Sequence, residues 1–186
     1  MAKKIDKTNA ARLLDRAKIA YELIPYEVDE SDLSVGHVAA TLGQPVERLY
    51  KTLVLKGDRT GYFVCVVRGD REIDLKLAAK VSGNKSCDLI PMKELLPTTG
   101  YIRGGCTPIG MKKLFPTFID ESCLEFDYIY ISAGQRGLQM RLAPTDLVAY
   151  TRAKTEKNNT ITYYEEIVYN VGTRSADVRT CRGGAI

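Results

Sequence analysis

The stretch Tyr50-Lys-Thr-Leu-Val-Leu-Lys56, followed by Gly57-Asp-Arg-Thr-Gly61 and Tyr62-Phe-Val-Cys-Val-Val67, decides the fold. Two apolar runs, Thr52 to Leu55 and Tyr62 to Val67, flank a loop rich in turn-forming residues, and this pattern predicts a β-hairpin. Successive side chains of a strand alternate faces, so Lys51 shares one face with Leu53 and Leu55, while Thr52 and Val54 take the other. A cation on the same side as two leucines either snorkels off the strand end or stands at the mouth of an apolar pocket.

Around this hairpin the chain alternates helices with strands. Thr8 is placed to cap a helix running to Lys18, whose Ala10, Leu13, Leu14 and Ala17 form an apolar stripe. Tyr21 to Val28 reads as a strand with Pro25 at an edge or bulge. Ser34 opens a second short helix that stops at Gly43. Asp74 caps a helix to Val81, and a short strand and a helix over Met92 to Leu96 follow. Three further strands are expected over Phe115 to Ile119, Leu124 to Ile131 and Leu138 to Leu142, the last with Leu138, Met140 and Leu142 inward and Gln139 and Arg141 outward. Pro144 to Ala149 closes with a helical turn. Hairpins interleaved with helices predict an α+β fold with a mixed, largely antiparallel sheet. Residues 1–150 form the expected domain. Lys154 to Thr160 reads as a polar linker, and residues 151–186 as a C-terminal tail of weak packing.

Composition excludes several classes. With 186 residues and 45% hydrophobic content, the chain suffices for a single globular core. No apolar run reaches the length of a membrane span, and Met1-Ala-Lys-Lys-Ile-Asp-Lys7 lacks a signal-peptide core, so a cytoplasmic protein is expected. The formal charge is +4, half of it from residues 151–186, which gives weak support for autonomous nucleic-acid binding. Cys65, Cys87, Cys106, Cys123 and Cys181 are irregularly spaced, and His37 is the single histidine; free thiols and no metal site are expected.

His37 alone cannot furnish a Ser-His-Asp or Cys-His site and reads as a surface helix residue. Cys106 follows two glycines, yet a small residue filling a tight loop explains it without reactivity. Asp29, Glu30 and Asp32 read as a solvated turn. Neither Gly104-Gly-Cys-Thr-Pro-Ile-Gly110 nor Ser132-Ala-Gly-Gln-Arg-Gly137 matches a phosphate loop or a dinucleotide fingerprint. What remains is a site of one lysine, hydroxyls and backbone amides. Amides of a glycine turn can hold an oxyanion, and a lysine supplies a point charge for phosphate. Such a site suits hydrolysis of an activated ester or simple binding of a nucleotide end.

Tyr26, Tyr50-Lys-Thr-Leu53, Gly104-Gly-Cys-Thr-Pro-Ile-Gly-Met-Lys-Lys113, Ile131-Ser-Ala-Gly-Gln-Arg-Gly-Leu138 and Ala143-Pro-Thr-Asp-Leu147 together resemble the YbaK/EbsC family. These are Cys-tRNA(Pro) deacylases related to the editing domain of prolyl-tRNA synthetases. The resemblance runs from about Lys7 to Tyr150. It implies a sheet bent towards a barrel, and trans-editing that clears cysteine from proline tRNA without a cofactor. It makes Lys51 the key site residue, holding the 3′-terminal nucleotide and the ester. Tyr26, Thr52, Gly104, Gly105, Pro108, Ser132 and Gly134 are the implied substrate-binding residues. The mechanism implied is substrate-assisted: the cysteine thiol attacks its own ester and leaves as a thiolactone. Proline tRNA carrying cysteine is the implied substrate, and prolyl-tRNA synthetase the expected partner. Cys106 and Thr107 depart from the aliphatic residue and serine common in relatives. A deacylase for another amino acid, such as alanine, and a non-catalytic tRNA- or synthetase-binding module are the competing readings.

Overall fold

A computed structural model describes residues 5–156. Residues 157–186, where most of the expected tail falls, lie outside the described residues. The elements run α1 (Asn9–Ala17), β1 (Tyr21–Pro25), α2 (Val35–Leu42), β2 (Tyr50–Gly57), β3 (Gly61–Arg68), α3 (Leu75–Val81), β4 (Cys87–Leu89), α4 (Met92–Thr99), β5 (Thr117–Asp120), β6 (Ile129–Ser132), β7 (Leu138–Leu142), α5 (Pro144–Thr151) and β8 (Lys154–Glu156). Among the described residues no helix is long and apolar enough to cross a membrane.

The strands make two sheets. One is antiparallel, in the order β1-β7-β6; the other is mixed, β4-β2-β3-β5-β8, with β5 parallel to both β3 and β8. The expected hairpin is β2–β3, antiparallel from Tyr50 opposite Arg68 to Gly57 opposite Gly61. Just before β2, Leu49 bridges to Tyr130 of β6, and this bridge links the two sheets. Arg48 secures the join by donating to the Tyr128 carbonyl at 3.1 Å and to Asp127 Oδ1 at 2.6 Å.

The alternation read from β2 sorts its residues between two cores. Tyr50 and Val54 join the main cluster with Val66, Ile109, Ile131 and Met140, which α1 covers through Ala10, Ala11 and Leu14. Leu53 and Leu55 face the other way, into a cluster with Phe63, Cys65, Val67 and the Ala78–Ala79 stripe of α3. A third cluster seats Tyr26, Ile24 and Tyr130 under α2. Burying the large aliphatic residues of these clusters stabilises the fold by roughly 1.5–3 kcal/mol each.

Helix starts follow the expected chemistry. Thr8 Oγ1 accepts from the Ala11 amide, Ser34 Oγ from His37, and Asp74 Oδ1 from Lys76 and Leu77. Several boundaries differ from expectation. Helix α4 continues through Pro97 to Thr99 and ends at Gly100, whose φ of 87° is the left-handed stop. Leu124 is not in a strand: residues Glu121–Glu125 form a 3₁₀ turn and β6 starts at Ile129. Lys154, expected to open a polar linker, begins β8, whose backbone pairs with β5 despite its polar side chains. Gln139 is buried rather than outward, because β7 is the central strand of its sheet and its partner Ile24 packs under α2.

Candidate functional site

Tyr101 organises the two glycine segments. Its hydroxyl donates to the Ile109 carbonyl at 2.6 Å, and it is buried. Burial pushes this phenol up to about 12, so it stays a donor. A Cβ at Gly110 would stand 3.3 Å from the Tyr101 hydroxyl, and one at Gly134 would stand 3.2 Å from its ring. Both glycines have positive φ, 72° and 101°, so a side chain would be strained as well as crowded.

The segments also meet directly. A Cβ at Gly105 would lie 3.1 Å from Gln135 Cα, backbone against backbone. Arg136 ties the same turn to its surroundings: Nε donates to the Arg103 carbonyl at 2.8 Å and Nη1 to Glu30 Oε2 at 2.5 Å. Glu30 is therefore a tether of the second glycine turn as well as part of a solvated acidic loop. Thr8 Oγ1 donates to the Ala133 carbonyl at 2.6 Å, so one hydroxyl caps α1 and holds this turn. The Tyr26 amide donates to the Gly137 carbonyl at 3.0 Å, which brings Tyr26 to the edge of the assembly.

The structure thus gathers Tyr26, Gly104, Gly105, Ser132 and Gly134 around one pair of turns. Two glycine amides are already committed inside it. Gly105 donates to the Ile102 carbonyl at 3.0 Å, and Gly134 donates to Ser132 Oγ at 3.3 Å. These two glycines set the shape of the loops rather than offering free donors. Pro108, half-buried, sits in the same segment beside Thr107, which is fully buried. Among the described residues two buried hydroxyl oxygens, Thr52 Oγ1 and Thr107 Oγ1, have no hydrogen-bond partner.

Lys51 stands apart. No hydrogen bond or ion pair among the described residues joins it to either turn; its ammonium lies 3.6 Å from Glu72 Oε1 in the loop between β3 and α3. Its side chain is 21% exposed, so the stem is covered by protein while the charge reaches solvent. Sequence reasoning missed Glu72 and Tyr101: the first is paired only by tertiary structure, and the second resembles any aromatic core residue.

Among the described residues, Cys65, Cys87, Cys106 and Cys123 are all held towards the protonated thiol. Burial pushes Cys65, Cys106 and Cys123 up to about 12 and raises Cys87, so none is a thiolate near neutral pH. His37 sits on α2 with Thr41 Oγ1 3.5 Å from its Nε2 and Asp32 more distant at 3.9 Å; that hydroxyl also donates to the His37 carbonyl at 3.0 Å, the i to i−4 backbone bond of a helical threonine.

The sequence profile of the aminoacyl-tRNA editing domain matches residues 30–150. A protein of Enterococcus faecalis named "Putative Cys-tRNA(Pro)/Cys-tRNA(Cys) deacylase EbsC" is 46% identical over 156 residues, 83% of this chain and 95% of that one. A proline–tRNA ligase of Sulfurihydrogenibium sp. is 30% identical over 140 residues, 70% of this chain and 24% of the ligase. The solved structure of "a putative trans-editing enzyme for prolyl tRNA synthetase" superimposes with a TM-score of 0.72 at 22% identity, over 83% of this chain and 99% of that one, and shares its fold. On the extent of the profile match and the identity to its Enterococcus relative, the chain belongs to the aminoacyl-tRNA editing domain family.

Proposed function

We propose that this protein is a trans-editing deacylase that removes cysteine from proline tRNA. Editing domains act on the ester joining an amino acid to a tRNA end, and the Enterococcus relative carries a deacylase name for cysteinyl-tRNA. The observation that carries the mechanistic part is the buried Cys106 thiol, which burial keeps protonated within the first glycine segment, with Lys51 a separate cation on β2. The glycine segments hold no activated nucleophile, so the reading that fits best takes the nucleophile from the substrate.

In that scheme the cysteinyl thiol loses its proton and its sulfur attacks the carbonyl carbon of its own ester. The carbon–oxygen bond to the terminal ribose breaks, a cyclic thiolactone leaves, and the ribose oxygen takes up a proton. Lys51 positions the RNA terminus and offsets charge on the ester oxygen as it develops. Tyr26, Thr52, Gly104, Gly105, Pro108, Ser132 and Gly134 shape the aminoacyl pocket in this reading. Positioning supplies most of the acceleration, since an intramolecular attack needs little more. Prolyl-tRNA synthetase is the partner that would deliver the proline tRNA, given the modest +4 charge of the chain.

The test is a deacylation panel. Purified protein is expected to release cysteine from Cys-tRNA(Pro) and to leave Ala-tRNA(Pro) intact, because thiolactone formation demands a thiol. Equal release from both would replace this mechanism with ordinary hydrolysis. Binding of tRNA with no release from any charged tRNA would make the protein a recognition module. Capture of the synthetase on immobilised protein tests the partner separately.

A further inference from the structure

Glu72 is held out to Lys51 by a loop that is fixed at both ends. Arg68 donates to Asp70 through Nε at 2.7 Å and through Nη2 at 2.6 Å. The Gly69 amide donates to the Leu49 carbonyl at 2.7 Å, and Gly69 is packed so closely that a Cβ would stand 2.3 Å from Val35 Cγ1. The Arg71 amide donates to the Arg68 carbonyl at 3.2 Å, and Asp74 caps α3 just beyond. The backbone at 68–74 is therefore anchored, whereas the Glu72 side chain is 79% exposed and free to swing. At 3.6 Å the carboxylate is close enough to offset part of the ammonium's charge and too exposed to bind it firmly.

We propose that Glu72 is the resident counter-ion of Lys51, displaced when the phosphodiester at an RNA terminus takes its place. This rests on the reading that Lys51 holds that terminus. While Glu72 is in place, Lys51 shows a reduced charge to passing anions. A ligand gains the ammonium only if its other contacts keep its phosphate there while the carboxylate swings into water. Glu72 thereby sets affinity, favouring a ligand anchored at several points over a small free anion.

The test uses the full chain and the dinucleotide CpA, which carries one phosphodiester. Glu72→Gln keeps the side-chain size at an exposed position and should not disturb folding. It is expected to bind CpA about two- to five-fold tighter at low salt, the range an exposed ion pair supports. The gain should shrink as ionic strength shortens the screening length. KM for Cys-tRNA(Pro) should fall in parallel. In a Lys51→Ala background, titrated to millimolar CpA, Glu72→Gln should give no gain. Unchanged affinity in the single variant overturns the proposal, and so does an equal gain without Lys51, which would mark a diffuse charge effect. If the wild-type protein does not bind CpA, the counter-ion and the Lys51 reading fall together. Glu72-dependent binding without release of any amino acid keeps the counter-ion and removes the deacylase.

Discussion

Gly105 and Gln135 meet backbone to backbone, at a separation tighter than β-carbons ordinarily keep: one built on Gly105 would lie 3.1 Å from Gln135 Cα. The neighbour is main chain and cannot rotate aside. The two glycine loops are thus pressed together through a residue that has no side chain.

Gly105→Ala should push these loops apart. Overpacking at a closed site costs about 1–3 kcal/mol, and the displaced turn carries Ser132 and Gly134 with it. Deacylation should fall more than stability predicts, measured as kcat/KM beside a urea melt. Gly36→Ala is the control: Gly36 is an exposed residue of α2 with nothing within 4 Å of its built Cβ. It should gain about 0.5–1 kcal/mol from helix propensity. A Gly105→Ala protein with wild-type kcat/KM would show that loop contact is not needed.

Lys51→Ala should lose at least about ten-fold in single-turnover deacylation, equivalent to 1.4 kcal/mol of transition-state stabilisation. Lys51→Arg should recover only part, since a guanidinium spreads its charge over a planar fork that this strand position was not shaped for. Circular dichroism should be unchanged in both, because the one ion pair lost is with Glu72, whose side chain is 79% exposed. Full turnover in Lys51→Ala would remove this residue from the site.

Cys106→Ala should keep most of the activity. Burial pushes that thiol up to about 12 in the folded protein, so its thiolate is negligible at neutral pH. The rate should instead rise with pH as the substrate thiol, with an ordinary value of about 8.5, ionises. A pH–rate profile for the wild type and Cys106→Ala should therefore superimpose. Loss of activity in Cys106→Ala, with its melt unchanged, would make this thiol the nucleophile.

Tyr101→Phe keeps the ring that props Gly110 and Gly134 but removes the donor to the Ile109 carbonyl. Leaving that buried oxygen unpaired costs about 1–3 kcal/mol. A fall in the urea midpoint at unchanged slope checks it; an unshifted midpoint would mean that water replaces the hydroxyl.

How far the sequence carried this picture depended on how local each signal was. The β2–β3 hairpin, the caps at Thr8, Ser34 and Asp74, and the two-faced burial around Lys51 were all legible, because each is set by residues a few positions apart. The pairing of β8 with β5 was not, since Lys154 to Glu156 have the composition of a loop and gain strand structure only from a distant neighbour. The helix expected over Met92 to Leu96 differs in the opposite direction, for α4 runs on through Pro97 to Thr99 before stopping at Gly100. In the site, the glycine segments were visible as segments. Their mutual contact, the internal use of the Gly105 and Gly134 amides, and the pairing of Lys51 with Glu72 all join residues far apart in the chain or depend on turn geometry that spacing does not encode.

The loop that presents Glu72 should itself respond to acid. Burial alone would raise the Asp70 carboxyl, but the hydrogen bonds from Arg68 together with the positive charges of Arg68 and Arg71 hold the group below its usual value. A carboxyl that binds protons less readily folded than unfolded adds stability in full above the unfolded value of about 3.9. That contribution is lost as pH falls through the lower folded value. Asp70→Asn should remove this part of the acid dependence and, by leaving Arg68 without its charged partner, cost about 1.5–3 kcal/mol at neutral pH. Because Arg68 lies opposite Tyr50 and Glu72 follows two residues after Asp70, the same change should loosen Glu72 from Lys51. CpA affinity in Asp70→Asn should then move towards that of Glu72→Gln, at a pH where the variant is still fully folded. A stability loss with no change in affinity would separate the clamp from the counter-ion it holds.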